Sequence, residues 1–170
     1  SIWDTFAHQK GKIQDGETGD VACDHYHRYI EDVEHMAEMG IQSYRFSVSW
    51  PRIFPKGIGK PNTKGVLFYR RLLKELRKKN ISPALTLYHW DLPQALQEKG
   101  GWENRKTTDA FVSYAGFLFN EFDGLVDRWI THNEPRVTAF RGYVHGNVAP
   151  GVKDPSKSLT VAHHLLLSHG

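Results

Sequence analysis

The sequence predicts an α/β fold with parallel strands, built as part of a closed barrel of alternating strands and helices. Three strand-like segments begin near residues 41, 81 and 125, about 40 residues apart, and each interval holds one helix-like segment. Strands joined through a helix pair in parallel with a right-handed crossover. One face of the predicted sheet is polar, which favours a barrel interior over an open sheet covered on both faces.

The first predicted helix lies between Asp24 and Met39. Its apolar residues recur at i, i+3, i+4 and i+7, and Gly40 supplies a left-handed stop. The strand that follows, 41–50, alternates in character. Its apolar side chains are Tyr44, Phe46, Val48 and Trp50, and its polar side chains are Arg45, Ser47 and Ser49. A buried Arg45 needs an acidic partner or a substrate.

Three further helices and two further strands are predicted. The helices are expected at about 62–79, 108–122 and 159–168, and the strands at 81–90 and 125–131. Asn62 or Thr63 can cap the first of these helices, and Asn80 ends it. The strand at 125–131 leads directly into Asn133 and Glu134.

Length and charge exclude several classes of protein. The 170 residues suffice for one domain, but a complete barrel enzyme typically needs about 250. The net charge of +3 arises from 22 basic and 19 acidic residues spread along the chain. No electrostatic footprint for nucleic acid or membrane stands out, and no run approaches the roughly 18 apolar residues of a membrane span.

Cysteine and histidine usage predicts a cytoplasmic protein without cofactors. Cys23 is the single cysteine and forms no intramolecular disulfide, and we expect it to be a small packed residue at a helix start. The chain opens on Ser1 without a signal pattern, as the interior of a longer protein does. Neighbouring histidines on a helix point apart, so no metal site is expected. No Gly-rich phosphate turn follows any strand.

Polar and aromatic residues stand at the predicted carboxyl ends of the three strands, where barrel enzymes gather their catalytic groups. These residues are Arg45 and Trp50, His89 and Trp90, and Asn133 and Glu134. Amide and imidazole groups bind hydroxyls, indoles stack on pyranose faces, and a carboxyl group moves a proton. The set therefore favours carbohydrate chemistry.

Five stretches closely resemble glycoside hydrolase family 1, and within it the bacterial β-glucosidases. In order they are Ser1-Ile2-Trp3-Asp4-Thr5-Phe6, Gly19-Asp20-Val21-Ala22-Cys23-Asp24-His25-Tyr26, Tyr44-Arg45-Phe46-Ser47-Val48-Ser49-Trp50-Pro51-Arg52, Tyr88-His89-Trp90-Asp91-Leu92-Pro93 and Thr131-His132-Asn133-Glu134-Pro135. The resemblance covers nearly all of this chain but less than half of the family's domain. It implies an incomplete (β/α)8 TIM barrel, roughly the second to fourth βα units, with residues 1–170 as one partial domain.

The resemblance also implies a chemistry. Family members are retaining β-glycosidases in which two Glu carboxyl groups, about 5 to 5.5 Å apart, flank the glycosidic bond. It assigns Glu134 as acid/base, Asn133 as donor to the sugar 2-hydroxyl and His89 as a ligand of a glycone hydroxyl. Trp90 would lie near the glycone, and Arg45 would stabilise the ionised nucleophile.

The nucleophilic Glu is expected outside this chain. Glu98, Glu103 and Glu121 fall on predicted helices or a loop, so none of them is a candidate for it. A chain with an acid/base and no nucleophile cannot perform double displacement, and residues 1–170 alone are expected to be inactive.

Two residues beside Glu134 depart from the family pattern. His132 stands where the family more usually has Phe, and Arg136 where it often has Trp. Arg136 could stabilise ionised Glu134 and lower its pKa. Alternatively it faces the outer cleft and tunes aglycone preference, which is the interpretation we prefer.

Two other functions remain open at this level. One is a 6-phospho-β-glycosidase, and the other is a catalytically incompetent, sugar-binding barrel fragment. The expected partner is a β-glucoside or oligosaccharide, with neither nucleic acid nor membrane. Half a barrel exposes strand edges, so homo-oligomers or other association through those edges are also expected.

Overall fold

The computed structural model describes all residues from Ser1 to Gly170. The three strands are β1 Ser43–Ser47, β2 Ser82–Tyr88 and β3 Arg128–His132. The α-helices are α1 Ile2–Ala7, α2 His25–Glu38, α3 Trp50–Ile53, α4 Thr63–Lys78, α5 Gln94–Gln97, α6 Arg105–Glu121 and α7 Pro155–His169. A wide helix of the π type spans Val137–His145, and short 3₁₀ turns lie at Gln14–Gly16 and Gly101–Glu103.

The three strands form one parallel sheet in the order β1-β2-β3, as the sequence predicted. Ser47 lies opposite Thr86, and Tyr88 lies opposite His132. Because all strands run the same way in this register, their carboxyl ends meet at one edge of the sheet. That edge is where the candidate residues lie.

The four predicted helices are present as α2, α4, α6 and α7. The Asn62 side chain accepts a hydrogen bond from the Lys64 amide and caps α4, and Asn80 adopts a positive φ of 57° just after that helix. The short helices α1, α3 and α5 and the π-type helix were not predicted, since each is too short or too irregular to show a clear 3.6-residue pattern.

The prediction that β1 extends to Trp50 is wrong. The strand ends at Ser47, and Trp50 begins the short helix α3, whose first turn accommodates Pro51. The Trp50 indole is fully buried, stacks on Tyr114 at 5.0 Å and donates a hydrogen bond to the Gly57 carbonyl oxygen. Trp50 is therefore a core residue and takes no part in the strand-end site.

Cys23 also differs from expectation. It lies just before Asp24, the residue that precedes α2, and it is exposed instead of packed. None of the helices combines the length and the apolar character that a membrane crossing requires.

Two glycines on different helices provide a matched test of this packing. Gly65 is buried in α4, and a Cβ there would clash with the Arg52 backbone carbonyl. In contrast, a Cβ at Gly116 in α6 would meet no atom within 4 Å. We expect Gly65→Ala to lower the free energy of unfolding by about 1–3 kcal/mol. Gly116→Ala should raise it by about 0.5–1 kcal/mol, because alanine loses less conformational entropy in a helix.

Thermal or urea unfolding of both variants checks this prediction. Equal stability of the two variants would show that the close approach of α4 to Arg52 is not rigid.

Candidate active site

The sheet brings together groups from all three strands at its carboxyl edge. Arg45, on β1, donates from Nη2 to Asn133 Oδ1 at 2.7 Å and from Nε to Thr86 Oγ1 at 3.1 Å. The predicted polar face is therefore real. Its arginine is exposed on the open side of the sheet and is paired with an amide and a hydroxyl instead of an acid.

The contact with Arg45 orients the Asn133 amide. A guanidinium group can only donate, so the atom facing it must be the Asn133 oxygen. The Asn133 Nδ2 group is thereby left as the free donor of this side chain. A free amide donor is the feature that hydrogen bonding to a sugar hydroxyl requires.

His89 follows β2 and pairs with β1 across the same edge. Its Nδ1 lies 2.9 Å from Ser47 Oγ, and its side chain is exposed. Partial desolvation and the nearby Arg45 charge lower the pKa of His89, while the Glu134 charge opposes them. The ring is therefore held neutral near pH 7, and Nε2 is left for a further hydrogen bond.

Trp90 and Glu134 both adopt left-handed backbone conformations, with φ values of 75° and 43°. Such conformations cost roughly 1–3 kcal/mol for a residue with a side chain and occur often at functional sites. The Trp90 indole Nε1 donates to the Asn133 main-chain oxygen at 3.0 Å. The two strained residues are therefore linked through the peptide that joins Asn133 to Glu134.

The Glu134 side chain is exposed at this edge, and no hydrogen bond or ion pair holds its carboxylate. Its main-chain oxygen accepts from the Val137 amide at 2.9 Å, where the π-type helix begins. The carboxylate is accessible to a ligand above the sheet. Trp50 and Trp90 were both expected at the strand ends, but only the Trp90 indole lies at this edge of the sheet.

The other glutamates considered from the sequence lie on or beside other elements of the fold. Glu121 pairs with Arg70 at 2.5 Å, and Glu103 pairs with Lys157 at 3.1 Å. Glu98 ends the short helix α5 and is exposed. Glu134 is thus the carboxylate that the sheet places beside Asn133 and His89.

Residues 1–170 match the model of glycosyl hydrolase family 1. The chain belongs to this family. Beta-glucosidase A of Acetivibrio thermocellus is 60% identical over 170 residues, and the chain covers 38% of it. A 1,4-beta-D-glucan glucohydrolase of Thermotoga neapolitana is 52% identical over 169 residues, with 40% of it covered.

A solved family 1 β-glucosidase from Thermotoga maritima superposes with a TM-score of 0.98 at 50% identity. This chain is covered to 99% and that structure to 38%. The resemblance found in the sequence is confirmed, and the fold is an incomplete (β/α)8 barrel of glycosyl hydrolase family 1. The chain spans about two fifths of the length of the curated relatives it matches.

Neither of the two residues that depart from the family pattern, His132 and Arg136, forms a hydrogen bond or ion pair with the Glu134 carboxylate. His132 packs into the helix layer, stacked on Phe111 with ring centroids 4.6 Å apart, and its Nε2 lies 2.9 Å from Ser168 Oγ. The exposed Arg136 places its guanidinium 5.8 Å from the centre of the Phe140 ring.

Several residues in or next to the site were given no role from the sequence. Thr86 holds Arg45, and Ser47 holds His89, yet neither was assigned a role. Asp91 was also missed: its Oδ1 is buried without a hydrogen-bond partner, and burial raises the pKa of its carboxyl group. An acidic residue between Trp90 and the apolar Leu92 was the signal that could have identified it.

The buried His132 predicts a specific loss of stability in acid. Burial lowers its pKa to about 4 from 6.5, so between these values the unfolded chain takes up a proton that the folded chain excludes. Stability is complete above pH 6.5 and falls as the pH decreases toward 4. The expected contribution is up to ~3 kcal/mol in the free energy of unfolding.

Urea unfolding across this pH range checks the prediction. His132→Phe should flatten the pH dependence, whereas His163→Phe, at an exposed position of α7, should retain it. An identical acid loss in His132→Phe would assign the effect to other groups.

Proposed function

We propose that the protein containing this chain is a retaining β-glucosidase that hydrolyses β-D-glucosides, including β-1,4-linked glucans. The observation that carries this proposal is the exposed Glu134 carboxylate held next to Asn133, whose Nδ2 is free because Arg45 occupies its oxygen. The names of the family members most similar to this chain support the substrate class.

Glu134 is the proton donor and acceptor of this mechanism. In the first step its carboxyl proton passes to the glycosidic oxygen as the bond from that oxygen to the anomeric carbon breaks. A second carboxylate, outside residues 1–170, forms the new bond to the anomeric carbon. In the second step ionised Glu134 takes a proton from water, which attacks the same carbon and releases the second carboxylate.

The remaining residues bind the sugar or the nucleophile. Asn133 Nδ2 donates to the 2-hydroxyl, and His89 uses its free Nε2 toward a glycone hydroxyl. Arg45 lies beside both on the open face of the sheet, where its charge stabilises an ionised carboxylate that approaches from the rest of the barrel. No cofactor or metal enters this scheme.

The alternatives differ in their support. The similar proteins named above are beta-glucosidases and a 1,4-beta-D-glucan glucohydrolase, and no observation at this edge favours a 6-phospho-β-glycosidase. A sugar-binding role for residues 1–170 alone is compatible with the free donors of Asn133 and His89, because binding requires no nucleophile. The position of Arg136 over Phe140 supports a role toward the aglycone.

A chimera tests the catalytic assignment. Residues 1–170 replace the matching segment of Beta-glucosidase A from Acetivibrio thermocellus, and the rest of that protein completes the barrel. Glu134→Gln in this chimera should lower kcat/KM on methyl β-glucoside by about 10²–10⁴-fold, the usual contribution of a general acid. The loss on 2,4-dinitrophenyl β-glucoside should be small, since dinitrophenolate leaves without protonation.

Glu98→Gln is the matched control, because Glu98 is exposed, directly follows α5 and forms no hydrogen bond or ion pair with the candidate site residues. It should leave both rates unchanged. Full activity of the Glu134→Gln chimera on methyl β-glucoside would refute the acid/base role of Glu134.

The single cysteine supports a cytoplasmic setting for this protein.

Residues 1–170 alone are proposed to associate through the open edges of their sheet. Both β1 and β3 are edge strands. A groove of about 560 Å³ beside β1 is lined by a small majority of apolar residues, mainly from α2, β1 and α4. Leu159 and Leu166 on α7 are 73% and 64% exposed. Unpaired strand edges and apolar patches of this kind promote self-association.

Light scattering of the purified 170-residue chain checks this proposal. We expect oligomers that grow with concentration, and Leu159→Glu combined with Leu166→Glu should reduce their size. A chain that stays monomeric at every concentration would contradict it.

A further inference from the structure

The hydrogen bond that Trp90 donates to Asn133 ends on the peptide group that precedes Glu134. The acceptor is the main-chain oxygen of the peptide that joins Asn133 to Glu134, and the Nε1 to O distance is 3.0 Å. We propose that Trp90 is a positioning residue for the acid/base Glu134, in addition to any contact its ring makes with a sugar. This inference rests on the proposed function.

The indole is the only hydrogen-bond donor to that oxygen. The other hydrogen-bonded groups of Asn133 are its main-chain N–H and its side-chain oxygen, and they have other partners. The Asn133 main-chain N–H donates to the Tyr88 carbonyl oxygen at 2.9 Å, and the side-chain Oδ1 accepts from Arg45. These contacts fix Asn133 itself, but only the indole fixes the plane of the peptide that leads to Glu134.

The backbone at this point needs such a restraint. Glu134 has a φ of 43°, in the left-handed region that side-chain-bearing residues rarely adopt. Rotation of the preceding peptide changes the torsions on either side of it and moves the Glu134 side chain relative to the sheet. The indole opposes this rotation because its N–H bond is lost when the oxygen turns away.

Trp90 is itself held in the matching conformation. Its φ is 75°, and its ring packs edge-on against the His89 ring at 5.3 Å. The strained end of β2 thus restrains the strained end of β3. Two residues at the strand-end site are tied together through one hydrogen bond between the ends of neighbouring strands.

Two roles of Trp90 predict different kinetics. If the indole only contacts the glycone, its loss affects every glucoside equally, because the glycone is the same. If it positions Glu134, its loss affects substrates in proportion to their need for a proton donor. An alkoxide leaving group needs that proton, whereas 2,4-dinitrophenolate does not.

The experiment uses the chimera with Trp90→Phe, which keeps an aromatic face and removes the N–H donor. We expect kcat/KM on methyl β-glucoside to fall by about 10- to 100-fold, as a displaced catalytic group typically causes. The fall on 2,4-dinitrophenyl β-glucoside should be less than about 3-fold. Use of kcat/KM confines the comparison to the first step, in which the leaving group departs.

Two controls accompany this variant. Trp129→Phe removes an indole N–H from β3 whose ring packs on Phe119, and it should leave both substrates unaffected. Benzothienylalanine at position 90 keeps the two-ring shape and replaces only the N–H with sulfur. It should reproduce the selective loss even where Trp90→Phe perturbs folding.

The outcomes separate the two proposals. Equal losses on both substrates, or no loss on either, with the benzothienyl residue would overturn the positioning role while Glu134→Gln still shows its selective loss. If Glu134→Gln shows no dependence on the leaving group, the proposed function fails, and the positioning role fails with it.

Discussion

Parallel pairing of three strands in one register is the constraint on which the rest of the structure depends. It brings Arg45, His89 and Asn133 to the same edge, although 88 residues separate the first from the last. A shift of one residue would turn each side chain to the opposite face of the sheet. The helices α4 and α6 pack on the outer face and hold that register through their buried apolar sides.

The edge itself combines strain with anchoring. Left-handed conformations at Trp90 and Glu134 oppose folding, and hydrogen bonds to Asn133 from Arg45 on β1 and from Trp90 after β2 compensate for them. The result is a fixed amide with one free donor beside a carboxylate that no hydrogen bond or ion pair holds directly. This division suits a site in which the binding group must stay still while the acid exchanges a proton. In the proposed mechanism the second carboxylate comes from outside residues 1–170.

Particular residues show how far the sequence could be interpreted. The alternation of Arg45 and Ser47 with apolar neighbours correctly predicted a polar inner face, because a strand has a strict two-residue period. The same alternation wrongly extended the strand to Trp50. The strand ends before α3, and the Trp50 indole lies in the core. The prediction that Cys23 is packed was wrong, because the local helix pattern does not show what covers the start of α2. His132 was assigned no role from the sequence, and only the structure shows that it packs on Phe111, which lies 21 positions earlier in the chain.

The sequence by itself determined the parallel α/β architecture, the family and the identity of the residues at the strand ends. Those properties follow from local periodicity and from ordered motifs, which are legible one segment at a time. Only the tertiary structure decided which groups touch: Arg45 with Asn133, Ser47 with His89, and Trp90 with the peptide before Glu134. The physical reason is that these contacts join separate strands, and their distances depend on register, twist and backbone torsions that no single segment encodes.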